Sequence, residues 1–394
     1  MNQSSLEVLC PISRGLPPCS FLVALLALFL IFNAAARAAE PPTTRMGGAA
    51  ASTCVAATEH CEEWITLDGK ASRLLVHRTH ALRTKNTQLK RALVFVHGIK
   101  RDADNHFRTA LAGAFLDGVS DDTLIVAPRF ASNSHADGNE AGNCGDTLGP
   151  HEANWICEDS RTDTWRFGGA EVGHQDVSSF DFMDQIVRLL ADKRVFPNLR
   201  SIVIAGHSAG GVFVSRYQMT NKVHDLPDVR ISYVVANPSS YSYLDDMRPT
   251  VSALPDNISA EAPGFRPPRV NPPPAFVSYP DARNCTTYDD WPYGLKNRFG
   301  YAAQTATEQL RAQAASRPVT YLLGDSDILP AGVFDMSCPA MAQGPTRLAR
   351  GLAFARYMNE LHAAHHKVIV VPFCGHSARC LFTADVAFPA IFPK

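Results

Sequence analysis

Ser208 sits in Gly206-His207-Ser208-Ala209-Gly210, directly after the apolar run Ser201 to Ala205 and ahead of the helix-compatible Val212 to Met219. A serine hydroxyl is a weak nucleophile. A sharp strand-to-helix turn exposes it to a base, and flanking glycines tolerate the strained backbone and close packing of such a turn. The chemistry on offer is attack on a carbonyl, which needs a base within reach and an acid that holds the base in its productive tautomer. Two later turns supply them: Gly324-Asp325-Ser326-Asp327, and Cys374-Gly375-His376-Ser377 after the last apolar run. His376 is therefore singled out from fourteen histidines as the base, while Asp325 and Asp327 both stand as the acid. The oxyanion formed by the attack needs two backbone N–H donors. Ala209 is the first. The turn His97-Gly98-Ile99 supplies the second, with Ile99 the expected donor and Lys100 the alternative, and His97 itself reads as a histidine hydrogen-bonded at a strand end.

These turns converge only if the runs before them lie side by side. Ala92 to Val96, Thr123 to Ala127, Ser201 to Ala205 and Ile231 to Ala236 are short, apolar and rich in β-branched residues, as buried strands are. Val319 to Leu323 and Lys367 to Pro372 complete the series, and helical periodicity appears between them at Phe180 to Lys193 and Leu348 to His365. Strands alternating with helices predict a mostly parallel sheet covered on both faces, with chemistry at the carboxyl ends of its strands. Trp64 to Leu67 and Leu74 to His77, around Asp68-Gly69, predict a first hairpin, so the compact domain is expected to start near Cys61 after a mobile lead-in over 39–60. Between about 238 and 317, after the sixth strand, prolines and aromatics interrupt the pattern; this stretch is expected to form a cap or lid. Phe130 to Gly173, with Trp155 and Trp165, is expected to form a second wall of the site.

Val94-Phe-Val-His-Gly98, Gly206-His-Ser-Ala-Gly-Gly211, Gly324-Asp-Ser-Asp327 and Gly375-His-Ser377 resemble the α/β-hydrolase esterases and lipases over roughly residues 90–385. That resemblance implies the α/β-hydrolase fold, the chain order Ser, Asp, His for its triad, and no cofactor. In the family the acid commonly stands three residues after the glycine closing its strand, which implies Asp327 over Asp325. The segment Val235-Ala-Asn-Pro-Ser-Ser-Tyr241 is also similar to a subgroup of secreted bacterial and fungal hydrolases. Cys374 and Cys380, which bracket His376, depart from the common pattern.

Composition sets bounds on partners and compartment. With 46% hydrophobic and 19% charged residues the chain can bury a sizeable core, and its net charge of −1 gives no general attraction to nucleic acid or anionic membranes. Arg14, the apolar run Phe21 to Phe32 and the small residues Ala34 to Ala39 read as a signal peptide over 1–38, hence a secreted or periplasmic protein; twelve apolar residues fall short of the roughly 20 that span a bilayer. Beyond that leader eight cysteines remain, and proximity pairs Cys54 with Cys61, Cys144 with Cys157 and Cys374 with Cys380. No cysteine spacing suits zinc, so no metal is expected. His362, His365 and His366 read as the polar face of a helix, and Asn257 and Asn284 fit the glycosylation triplet. The expected reaction is hydrolysis of a carboxylic ester, of a small molecule or a polymer. A peptidase or amidase is the alternative within the same fold, and a non-catalytic ligand-binding protein the alternative outside enzymes.

Overall fold

A computed structural model describes residues 53–135, 145–157, 164–250, 275–329 and 334–394. Its main sheet has eight strands: β1 (Glu62–Thr66), β2 (Arg73–Arg78), β3 (Arg91–Val96), β4 (Thr123–Pro128), β5 (Ser201–His207), β6 (Arg230–Ala236), β7 (Val319–Gly324) and β8 (Lys367–Val371). They lie in the order β1-β2-β4-β3-β5-β6-β7-β8, with β2 antiparallel to both its neighbours and every later pair parallel.

The β-branched runs work here because both faces of the sheet are buried, and alternate side chains enter two separate cores. Ala92, Val94 and Val96 of β3, with Ile202 and Ile204 of β5, point into one; Leu93, Phe95, Val203 and Ala205 point into the other. The first core is closed by α2 (Ser179–Ala191), α3 (Ala209–Thr220), α4 (Thr307–Ser316) and α5 (Arg347–Leu361). The second is closed by α1 (Ala103–Leu116) and α6 (Ala378–Phe382), where Phe95 stacks on Phe382. Each Val, Leu or Phe taken fully out of water in these layers contributes about 1.5–3 kcal/mol. β8 is the exception. It lies at the sheet's edge, with Val371 buried but Val368 and Val370 about 40% exposed.

Several expectations change on contact with the structure. Residues 53–60 of the stretch read as a mobile lead-in are pinned by the disulfide Cys54–Cys61 and by Cys54 N–H donating to Thr79 O, so the domain reaches back to Thr53 rather than starting at Cys61. Thr307–Ser316, inside the stretch read as a cap, is the crossover helix α4 that packs on α3 before β7. Trp155 and Trp165 do not face a cleft: both are buried, with Phe130 stacked on Trp165 and the Trp165 ring edge-on to His97. The histidine trio is not a helix face, because α5 stops at Leu361. His362 caps its end beside Asp245, and buried His366 meets the Tyr321 hydroxyl. The disulfides Cys374–Cys380 and Cys285–Cys338 are present, the latter joining positions 53 residues apart. The expected leader over 1–38, Asn257 and the Cys144–Cys157 pairing lie outside the described residues. No helix among the described residues is long and apolar enough to cross a membrane.

Candidate active site

β5 runs two residues further than its apolar core, through Gly206 and His207, so Ser208 alone makes the turn into α3, at φ 57° and ψ −117°. That backbone is strained for any residue with a Cβ. It persists because the surroundings fix it. Ser208 N–H donates to Ala236 O of β6 at 3.0 Å, and Ser208 O accepts from Val212 N at 2.9 Å. A side chain at Gly206 would sit 2.1 Å from Gly210 O, and one at Gly210 would sit 2.2 Å from Val96 O, so neither position admits even alanine.

The later strands bring their turns to the same end of the sheet. His376 Nε2 lies 2.9 Å from Ser208 Oγ, and His376 Nδ1 lies 2.7 Å from Asp327 Oδ2. With Asp327 accepting at Nδ1, that nitrogen carries the proton and Nε2 is left to accept from the serine hydroxyl. Asp327 is buried, whereas Asp325 is half-buried and accepts from the Ser326 hydroxyl at its own turn. The structure thus unites Ser208, His376 and Asp327 and leaves Asp325 out.

Around Asp327 lies a group that the motifs did not reveal. Arg347, the first residue of α5, is wholly buried, with Nη1 3.4 Å from Asp327 Oδ1, while Leu348 N–H donates to the Asp327 carbonyl at 3.2 Å. Burial pulls the guanidinium below its usual range, and the carboxylate beside it offsets part of that pull. The Asp327 carboxylate thus faces a buried cation, while its main chain is tied to the first turn of α5.

On the other side of Ser208, a Cβ at Gly98 would lie 3.8 Å from Ser208 Cβ, so the turn 97–99 flanks the serine. Ala209 is the first residue of α3, where main-chain N–H groups lack partners within the helix. Arg101 holds the 97–99 turn: its N–H donates to Gly98 O, its Nη1 to Ile99 O, and it pairs with Asp146. His97 accepts from Phe130 N–H through Nε2 at 2.9 Å and donates through Nδ1 to Gly98 O at 2.8 Å, the two bonds of a neutral ring. Burial pushes it down to about 3. His207 packs its ring 4.7 Å from that of His376 and is also held neutral, by burial first and then by its neighbours His376 and His106.

Among the described residues no three His, Cys, Asp or Glu side chains gather as metal ligands. A shallow cleft beside Ser316, Arg317 and His365 lies where β7 and β8 begin, at the opposite end of the strands from Ser208. No hydrogen bond among the described residues joins its Ser316 hydroxyl to the His365 ring, so it does not repeat the Ser208–His376 arrangement.

Comparison with known proteins agrees with this architecture. The model of a family described as the alpha/beta hydrolase family matches residues 93–388. Among solved structures the chain is similar to LpqC, a poly(3-hydroxybutyrate) depolymerase from Bordetella parapertussis, at 18% identity and TM-score 0.51 over 83% of this chain and 88% of that one. It is also similar to poly(aspartic acid) hydrolase-1 from Sphingomonas sp. KT-1, at 21% identity and TM-score 0.48 over 81% of this chain and 95% of that one. No curated protein sequence matches it.

Proposed function

Because the chain belongs to the alpha/beta hydrolase family, we propose that it is a serine hydrolase of carboxylic esters, with Ser208 as nucleophile, His376 as general base and Asp327 as the acid that orients it. The observation that carries this reading is the unbroken relay from Ser208 Oγ through both His376 nitrogens to Asp327. Ser208 attacks the ester carbonyl while His376 Nε2 takes its proton. The tetrahedral oxyanion is held by the N–H groups of Ala209 and Ile99. His376 then returns the proton to the departing alcohol, leaving an acyl-enzyme, and the same base activates water to release the acid. No cofactor takes part.

On this reading residues 1–38 are an export leader, which the disulfides support because they persist in oxidising compartments. The proline-rich part of the insertion between β6 and α4 is read as a cap bordering the site, and the substrate is a small ester or a polyester. A series of p-nitrophenyl esters of rising chain length, run beside the matching anilides and a poly(3-hydroxybutyrate) film, tests it. Ester turnover that Ser208→Ala abolishes in a folded protein is the expected result. Cleavage of anilides without esters would replace it with an amidase, and a serine-directed phosphonate that fails to label Ser208 would leave a ligand-binding protein.

A further inference from the structure

In the sheet order β5-β6-β7-β8 the nucleophile follows β5, the acid follows β7 and the base follows β8. The strand between nucleophile and acid, β6, contributes none of the three. Its exit is Asn237, in the Asn-Pro step of the Val235 to Tyr241 segment, and this residue is fully buried at φ 41°. Its Oδ1 accepts from Gly324 N–H at 3.0 Å, three residues before Asp327. Its Nδ2 donates to Gly375 O at 3.2 Å, immediately before His376. One main-chain partner is a donor and the other an acceptor, which fixes the orientation of the amide. The preceding carbonyl, Ala236 O, is the one that accepts Ser208 N–H.

We propose that Asn237 is a positioning residue that keeps the three catalytic turns in one frame; this rests on the triad reading above. Direct bonds between the acid and base turns exist, Ser326 N–H to Cys374 O and Asp325 N–H to Val371 O, but they hold those two turns to each other and do not reach toward Ser208. Asn237 ties both of those turns to the exit of β6, whose Ala236 carbonyl holds Ser208 N–H and whose Asn237 N–H donates to Leu322 O of β7. Asparagine suits the place twice over: it tolerates positive φ, and its side chain carries one acceptor and one donor on a short planar group. Aspartate lacks the donor, glycine lacks both groups, and glutamine is too long for the same reach.

Asn237→Gly keeps the backbone conformation and removes both bonds, whereas Asn237→Asp keeps the acceptor and turns an oxygen toward the Gly375 carbonyl. Both are to be assayed on a p-nitrophenyl ester well below their melting temperatures, beside Ser208→Ala. Because misplacing reacting groups by about 1 Å can cost on the order of 10²-fold, kcat should fall by roughly that factor in each variant while KM stays within about threefold. The low-field proton resonance of the His376–Asp327 hydrogen bond should shift or broaden in the same variants. A purely structural role would lower the melting temperature and leave both readouts of the folded fraction unchanged. Parent-like kcat in folded Asn237→Asp, or in folded Asn237→Gly, overturns the proposal. If Ser208→Ala keeps its turnover, the triad reading itself has failed; if Ser208→Ala is dead and the Asn237 variants are unimpaired, the positioning role alone has.

Discussion

Two carboxylates stand two positions apart after β7, and burial separates their tasks. Asp327 bonds to His376 on one oxygen and faces Arg347 on the other, whereas Asp325 meets a neighbouring hydroxyl beside solvent. Asp327→Asn should therefore lose on the order of 10⁴ in kcat, since an amide cannot hold the productive tautomer or stabilise the imidazolium. It should also destabilise the fold by about 3 kcal/mol, because it removes the charge opposite a buried guanidinium. Asp325→Asn should do neither. Steady-state rates and thermal melts of the two variants check this pair of expectations, and a dead Asp325→Asn beside an active Asp327→Asn would move the triad by two residues. Ser208, His376 and both acids were legible because each stands in a glycine-bearing turn after an apolar run. Arg347 was not, since it lies on a helix twenty residues past Asp327 and no spacing says that it folds back. Asn237 left a fainter mark, an Asn-Pro turn signal at a strand's end.

Strands and helices were more legible than the segments between them. The apolar runs located all eight strands to within about two residues, as period-2 burial on two faces allows. The helix α4 was hidden among the prolines around it because only Leu310 and Ala314, one turn apart, are buried on it. At this scale the disulfide Cys374–Cys380 is the notable element. It ties the exit of β8 to α6 and encloses His376 between its ends. Reduction of this bond should lower hydrolase activity before the fold is lost, because it frees the loop that carries His376 while leaving the two cores intact. Activity and circular dichroism followed together during reduction should separate in that order. Coincident loss of both signals, or mass mapping that finds the two thiols free in protein purified under oxidising conditions, would remove the premise.

The whole molecule carries a set of imidazoles buried in neutral form. Burial holds His97 at about 3 and His224 and His366 at about 4, far below the ordinary value near 6.5 that they regain on unfolding. As pH falls below 6.5 the unfolded chain takes up protons that the folded chain refuses, so the stability these rings confer is present above 6.5 and is lost between 6.5 and their folded values. For His97 alone the loss by pH 4 is about 3 kcal/mol at 1.36 kcal/mol per unit. Melting temperatures measured from pH 8 to pH 4 should be level at first and then drop below 6.5; a level or rising profile contradicts the burial argument. The main sheet has two unlike borders. Along β1, Glu63 is engaged by Arg78 and Arg83, and charge guards that side. β8 instead presents Val368 and Val370 to solvent, and no strand among the described residues pairs with its outer rim. An open rim of main-chain donors and acceptors beside bare valines is where neighbouring copies would adhere in a concentrated preparation. A lysine introduced on this edge to keep the protein dispersed would sit a few residues from the turn that carries His376.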